Sequence, residues 1–454
     1  MTDSLTRGRP ARGDKLELTI DSLAYGGSGV ARLDGYVLFV RGGMPGDRVR
    51  AEVTKPKRSF AEARTVEILE PSPDRISERA PHPGAPWQVL PYERQLAEKE
   101  AQVRDALVRL GHFEDPPVAP MLAATSPWGY RNKLEYSFGA TEDGGLALGF
   151  HRPGSWSRID DVTEDVLASE RIDAVRERVK AWCREEGLEP YDRRTGTGFL
   201  RNLVVREARR TGQLQARIVT SEGELRAEAL AEAAGADGML WTRNPGVAET
   251  TTDGETKLVA GLGHIEEELS DLRFRISPTA FFQTNTEMAE VLYARATDLA
   301  ELTGAERVFD LFCGIGTVAL TLALRAREVW GVEVVEPAVA DAIENARLNE
   351  MENAFFFAGD VRTALRPLVE RAGRPDVVVT DPPRAGLSQK IVRRVLETAP
   401  KKIVYVSCNP TTLAPNARQM VDAGYELRSV HPVDMFPQTP HIECVALLER
   451  VADP

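Results

Sequence analysis

The sequence predicts three units: a small N-terminal β-barrel over residues 1–69, a central α+β domain over 70–270, and a C-terminal α/β domain with a parallel sheet over 271–454. Three observations carry this division. Residues 14–69 fall into short alternating strands punctuated by glycine and proline. From about residue 300 strands and helices alternate regularly, which is the rhythm of a parallel sheet covered on both faces. A chain of 454 residues also exceeds the ~100–200 residues of one domain.

Composition narrows the class further. With 42% hydrophobic and 28% charged residues the chain is globular, and 36 Gly plus 29 Pro exclude a collagen-like or low-complexity protein. No run reaches the ~18 apolar residues of a membrane helix, and the opening MTDSLTRGRPARGDK lacks the apolar core of a signal peptide. A cytoplasmic enzyme is therefore expected. The four cysteines show no CxxC pair, so neither a disulfide framework nor a zinc ribbon is indicated. A net charge of -12 argues against a protein that coats nucleic acid through its whole field. The charge is uneven, however: residues 1–64 hold twelve Lys or Arg against eight Asp or Glu, so a basic module leads an acidic body.

Taken in order, DKLELTIDSLA, GYVLFVRGG, GDRVRAEVTKPKR and FAEARTVEILE read as strands of the barrel. The loops YGGSG and RGGMPGD, with Lys55, Lys57 and Arg58, form a candidate track for a phosphate backbone. Over 92–111, Leu96, Val103, Leu107 and Leu110 recur at helical spacing, and this helix is expected to pack on the catalytic domain. Strands LEYSFGA, LALGFHR, LRNLVVREA and LQARIVT follow, with helices at 171–186 and 224–234; Cys183 falls on the apolar stripe of the first and reads as core. The C-terminal strands are RVFDLF, VWGVEV, AFFFAGD, DVVVTD and KIVYVS. A ligand crevice is expected at their carboxyl ends.

The motifs fall at those ends. FDLFCGIGT sets Gly314 and Gly316 between strand and helix, where backbone can approach a ligand closely. Glu333 ends the next strand, 19 residues after Gly314, placed for a ribose diol, and Asp360 ends the third, placed for an adenine amine. An adenosine ligand without a dinucleotide favours S-adenosylmethionine. TDPPRAG holds Asp381 at a rigid strand tip, and VSCNP sets Cys408 beside the same crevice. A thiolate there is a carbon nucleophile when its surroundings lower its pKa. Cys313 is the rival, although its place suits a small packing residue, and Cys444 reads as core. Glu443 precedes the apolar strand CVALL, and a carboxylate there needs a partner or a task. Cysteine and carboxylate beside a methyl donor suit methylation at carbon 5 of uracil, which is too poor a nucleophile unaided.

FFQTN, DLFCGIG, TDPPRAGL, YVSCNP and HIECVALL together resemble the RNA 5-methyluridine methyltransferases that act on 23S ribosomal RNA or tRNA. The resemblance spans nearly the whole chain. It implies a class I (Rossmann-like) methyltransferase domain behind an OB-like TRAM barrel, with Cys408 as nucleophile, Glu443 as base and Asp381 as an acid at the donor or the uracil. It also implies donor contacts from Gln283, Phe312, Gly314, Gly316, Thr317, Glu333, Asp360 and Asp381, with Thr317 standing where some members have Asn. Many relatives carry a cysteine-rich segment for an iron-sulfur cluster; here residues 79–88 hold no cysteine and Asp165 stands at the expected fourth position, so no cluster is expected. RNA is the expected partner, gripped by the barrel and by Arg131, Lys133 and Arg201; the protein is expected to be a monomer with no membrane association. A methyltransferase of another RNA base, or an RNA-binding protein with a vestigial domain, stays open on the residues alone. An amino-group enzyme has an aromatic residue where this chain has Arg384, and a 5-methylcytosine enzyme has a cysteine after the Pro-Pro.

Overall fold

The computed structural model describes residues 9–155, 157–248 and 250–451. In the N-terminal unit β1 (Lys15–Thr19), β2 (Ser22–Leu23), β3 (Gly29–Leu33), β4 (Tyr36–Arg41), β5 (Arg48–Pro56) and β6 (Phe60–Glu70) form one sheet in the order β1-β5-β6-β4-β3-β2. Alternation drives it: Leu16, Leu18, Val49, Ala51, Val53, Ala61 and Ala63 point into a single core while their neighbours face water. The loop after β4 turns inward. Asp47 is fully buried there, accepting from the Met44 and Ser72 amides and from Arg75, and this fastens the barrel to the chain that follows.

The central sheet runs β13-β12-β11-β10-β7-β8-β9, built from β7 (Lys133–Ala140), β8 (Leu146–His151), β9 (Ile159–Asp161), β10 (Leu200–Glu207), β11 (Leu214–Thr220), β12 (Gly238–Arg243) and β13 (Glu255–Gly261). Helix α1 (Tyr92–Arg109) precedes it, and α2 (Glu170–Glu185) and α3 (Ala227–Ala234) cover it. Ser169 caps α2 by accepting from the Ile172 amide, and Ile172, Val175, Val179 and Cys183 make its buried stripe.

Strand β14 (Ile265–Leu269) and β15 (Leu272–Ile276) make a hairpin, followed by α4 (Thr286–Ala300). The expected boundary at 270/271 falls in its turn, and both strands pack into the C-terminal core with Leu292 and Val308. The hairpin therefore goes whole with the C-terminal unit. Next come β16 (Arg307–Leu311), α5 (Thr317–Ala323), β17 (Glu328–Glu333), α6 (Glu336–Leu348), β18 (Ala354–Ala358), α7 (Val361–Ala372), β19 (Val377–Thr380), α8 (Gln389–Thr398), β20 (Lys402–Ser407), α9 (Pro410–Asp422), β21 (Tyr425–Val433) and β22 (Glu443–Arg450). Their sheet order is β18-β17-β16-β19-β20-β22-β21, parallel through β20, with β22 inserted antiparallel between β20 and β21. The order reverses between β16 and β19, which opens a crevice at their carboxyl ends.

Helix α1 packs against α9, and its buried face keeps Val103 and Leu107 of the expected apolar stripe but extends to polar residues. Leu110 is exposed, while Gln95, Lys99 and Gln102 are buried beside Val103, Ala106 and Leu107. The polar residues face the loop between β21 and β22. Lys99 Nζ donates to Asp434 Oδ1 at 2.6 Å and to the Phe436 carbonyl, Tyr92 Oη donates to Asp434 Oδ2, and Gln95 and Gln438 exchange two hydrogen bonds. Both side chains of the Lys99–Asp434 pair are fully buried. Burial lowers the Lys99 ammonium pKa and the Asp434 carboxylate opposes that.

A second buried cluster ties residues 79–90 to the central sheet. His82 Nε2 lies 2.9 Å from Asp165 Oδ1, Tyr136 Oη donates to Oδ2, and the Leu167 and Ala168 amides donate to Oδ1. Thus the segment and the acid that the resemblance sets at cluster-ligand positions meet through hydrogen bonds. Burial pushes the Asp165 carboxyl up, but His82, Tyr136 and the amides outweigh it and hold the carboxyl below its ordinary value.

Lys99→Met leaves a dry, unpaired carboxylate and is expected to cost about 3–5 kcal/mol, read as a fall in the urea midpoint. Adding Asp434→Leu recovers most of that loss, whereas Arg32→Met at the exposed Arg32–Asp21 pair barely moves the midpoint. Asp165→Asn is expected to cost about 1.5–3 kcal/mol at pH 7. A carboxyl held low in the fold contributes stability above its unfolded value and loses it as pH falls through the folded value. The gap between wild type and Asp165→Asn should therefore close below about pH 4, as followed by denaturation at stepped pH.

Candidate active site

The antiparallel register between β20 and β22 assembles the reactive corner. Ser407 pairs with Cys444, so Cys408 leaves the sheet at the rung where Glu443 enters it. Strand β19 lies on the other side of β20, with Thr380 paired to Tyr405, and delivers Asp381 to the same end. Three expected residues are thus brought together. Asn409 caps α9 by accepting from the Thr411 amide, and its Nδ2 donates to the Arg384 carbonyl, which ties the turn after Cys408 to the Pro-Pro loop. Arg384, a residue to which motif reading assigns no task, donates to His441 Nδ1 at 2.7 Å. His441 is pushed down to about 4 by burial, Arg384, Arg131 and Lys99, so it accepts as a neutral ring.

The electrostatics run against a thiolate in the protein alone. Cys408 is half-buried, and burial together with Glu443 and Asp381 pushes its thiol up to about 11, with Arg384 opposing. The condition under which a thiolate forms readily is thus not met by the protein alone, because Glu443 and Asp381 outweigh Arg384 at the sulfur. Burial raises Asp381 to about 6. Glu443 is 3% exposed, and burial and Asp381 hold its carboxyl well above the ordinary range. The other three cysteines are buried, as packing residues are.

A second set of groups lies along the ends of β16, β17 and β18. Phe312, Gly314 and Gly316 all have positive φ, and a Cβ on Gly314 would meet nothing within 4 Å, which leaves the loop open to a ligand. Glu333 accepts from the Gly314 and Val335 amides, which fixes its carboxylate at the strand tip. Asp360 is exposed and gives one oxygen to the cap of α7. Gln283 is buried, its carbonyl held by Asn132 Nδ2, and Asn285 donates to the Met435 carbonyl. Thr317 is directed elsewhere: its hydroxyl donates to Tyr293 at 3.3 Å beneath the loop. Asp310, which the motif reading passed over, is 1% exposed between Asp381 and Glu333; burial and those two acids raise its pKa well above the ordinary value, and its Oδ2 has no hydrogen-bond partner. An open glycine loop, an orphaned carboxyl oxygen and converging acids fit a ligand that carries hydroxyls, amines and a positive charge.

Among the basic residues, Lys55, Lys57 and Arg58 stand exposed at the β5–β6 hairpin tip. Arg201 is 5% exposed within β10, stacked over Tyr191 at 4.0 Å and bonded to Ser221 and the Ala248 carbonyl, and it lines a recess with Tyr191, Arg193 and Arg194. Lys133 is half-buried against Glu135 at 2.6 Å. The YGGSG and RGGMPGD loops, the candidate phosphate track, also make contacts within the protein, with Gly26 and Gly42 left exposed. The second is packed through Asp47, and the first turns toward the C-terminal domain, where a Cβ on Gly27 would lie 2.9 Å from Pro440 Cβ. Tyr25 in that loop donates to the Cys408 carbonyl at 3.1 Å, a contact spanning 383 residues that no local pattern marks.

Among the described residues no group of three or more His, Cys, Asp or Glu is placed to hold a metal, and no helix is long and apolar enough to cross a membrane. The model of the tRNA (uracil-5-)-methyltransferase family matches residues 249–366 and 369–451, and that of the TRAM domain matches 10–66. An uncharacterized RNA methyltransferase of Halalkalibacterium halodurans is 39% identical over 96% of this chain and 97% of its own. One from Chlorobaculum tepidum is 39% identical over 97% and 98%. The crystal structure of Pyrococcus abyssi tRNA (uracil-54, C5)-methyltransferase in complex with S-adenosyl-L-homocysteine is 30% identical, covers 95% of this chain and all of its own, and superposes with a TM-score of 0.77. The chain belongs to the S-adenosylmethionine-dependent RNA methyltransferases of the tRNA (uracil-5-)-methyltransferase family and carries an N-terminal TRAM domain.

Proposed function

We propose that this enzyme methylates carbon 5 of a uridine in a structured RNA through a covalent adduct at Cys408. The observation that carries the reading is the β20–β22 register, which sets a thiol and a buried carboxyl side by side with a third acid at the crevice. Bound S-adenosylmethionine supplies an electrophilic methyl group on a positively charged sulfonium. Glu333 would hold its ribose and Asp360 its adenine amine, with Gln283, Phe312, Gly314 and Gly316 lining the cradle. Asp310 and Asp381 would face the cationic end.

The protein's own steps follow from the chemistry of the ring. Cys408 Sγ, as thiolate, adds to carbon 6 of the uracil, and the electron pair of the 5,6 double bond moves to carbon 5 and the carbon 4 carbonyl. Carbon 5 would then bond the methyl carbon as that carbon's bond to the sulfonium sulfur breaks, with the electron pair staying on sulfur and S-adenosylhomocysteine leaving as the neutral thioether. Glu443 takes the carbon 5 proton, the double bond re-forms, and the Cys408–carbon 6 bond breaks to return the thiolate. A carboxyl raised by burial is the stronger proton acceptor for that last step. Because carbon 6 is shielded in a stacked helix, the uridine must be flipped into the crevice. Lys55, Lys57 and Arg58 on the TRAM hairpin, and Arg131, whose charge is felt at His441, would hold the RNA backbone.

The P. abyssi relative is named for uracil 54 of tRNA, and ribosomal RNA is the other substrate class that the reading admits. Mass spectrometry of nucleosides from separated tRNA and ribosomal RNA, in cells with and without this gene, should show 5-methyluridine lost from one fraction; unchanged levels in both would overturn the reading. Cys408→Ala should abolish transfer with donor affinity intact. Glu443→Gln should accumulate a protein–RNA adduct that survives a denaturing gel. In the free enzyme, alkylation of Cys408 by iodoacetamide should rise about tenfold per pH unit from 7 to 10 without a plateau, because only the thiolate reacts and the thiol sits near 11. A plateau near neutral pH would contradict that electrostatic picture.

A further inference from the structure

Tyr25 belongs to the TRAM barrel, yet its ring packs against the hydrophobic cluster of the catalytic domain. The loop that carries it is tight: the Ala24 amide donates to the Ser28 carbonyl and the Gly27 amide to the Ala24 carbonyl. Gly26 and Gly27 both hold positive φ, near 89° and 87°, which keeps the loop narrow enough to enter the domain junction. There Gly27 lies against Pro440 and Trp87 with no room for a side chain. Pro440 is three residues before Glu443, so the loop touches the strand entry that carries one reactive group and hydrogen-bonds the turn that carries the other.

From this geometry we infer that Tyr25 is a positioning residue for the nucleophile: its phenol holds the Cys408 carbonyl and so orients the turn from which the thiol approaches the base. The inference rests on the assignment of Cys408 as nucleophile. The phenol is suited to the task, because burial pushes its pKa up to about 12 and it remains a proton donor at working pH. The carbonyl it holds belongs to the reacting residue itself, so a small rotation of that peptide displaces Sγ directly. Misplacement of a reacting atom by a fraction of its approach distance lowers the rate of bond formation and leaves binding largely untouched. The barrel would then do more than grip RNA, since adduct formation would require that it be seated.

The test is Tyr25→Phe in the full chain, assayed with tritiated S-adenosylmethionine and total RNA from cells lacking this gene. Phenylalanine keeps the ring packing and removes only the donor. The expected result is a fall in kcat of about tenfold with the apparent KM for RNA unchanged. Gly27→Ala, which keeps the phenol but pushes the loop that carries it off Pro440, should lower kcat in the same sense and keeps the inference testable if Tyr25→Phe is poorly folded. Full kcat in folded Tyr25→Phe, or a raised KM at unchanged kcat, overturns the inference, the latter marking Tyr25 as part of an RNA-gripping surface. Cys408→Ala assayed alongside separates the two layers: turnover there overturns the nucleophile itself, whereas an inactive Cys408→Ala beside a fully active Tyr25→Phe overturns only the positioning role.

Discussion

The buried contact between Lys99 and Asp434 is the constraint on which the active corner depends. Residues 434–442 link the two antiparallel strands and end at Glu443, and a free loop of that length would not hold a carboxyl beside a particular thiol. Here the loop is fastened along most of its length. Lys99 and Tyr92 hold Asp434, Tyr130 donates to the Pro437 carbonyl, Gln95 pairs with Gln438, and Gly27 abuts Pro440. Those residues come from helix α1, from the segment before the central sheet and from the barrel. A buried ion pair contributes little net stability over an apolar pair of the same shape, but it is unforgiving of misregister because a shifted charge is left dry and alone. That property suits a junction where the register matters more than the energy.

The charges at the crevice are unbalanced, and the imbalance is informative. Asp310, Glu333, Asp381 and Glu443 converge on the strand ends with Arg384 as the cation that opposes them at Cys408, and both the Cys408 thiol and the Asp310 carboxyl are driven upward. Acids gathered around a thiol raise the cost of ionising it. The arrangement is consistent once a positive ligand is counted as part of the site: a cation bound among these carboxylates lowers the cost of ionising each of them and of the thiol. The protein alone therefore disfavours the thiolate of Cys408.

How much of this was legible in the sequence follows the range of each interaction. The parallel strands could be read directly because strands buried on both faces are continuous apolar runs, as VVVT and KIVYVS are. The glycine loop, Glu333, Asp381, Cys408 and Glu443 could be placed because each lies at a strand end, and strand ends are local. The polar part of the α1 face could not, since hydrophobic periodicity is blind to a helix that buries Gln95 and Lys99 against polar partners more than 330 residues away. The boundary at 270/271 failed for a related reason: a hairpin looks the same whichever core receives it. Arg201 was a candidate for gripping RNA, and its local sequence gives no sign that within β10 it is held by a ring, a hydroxyl and a carbonyl.

The glycine-rich loops of the barrel show the same limit from the other side. Sequence alone cannot tell a glycine that lets backbone approach a phosphate from one that lets backbone approach protein, because the steric requirement is identical. In YGGSG, Gly27 lies against Pro440 and Trp87, and in RGGMPGD, Gly46 lies against Ser72, whereas Gly26 is open. The tyrosine of the first loop reaches the turn of Cys408 only because two neighbouring glycines let the chain narrow there. A barrel attached by a flexible linker could still concentrate RNA near the crevice through its basic hairpin, but it would have no use for so close a seat against the strand that delivers Glu443. The close packing at Gly27 and Pro440 thus argues that the TRAM domain and the catalytic corner form one mechanical unit.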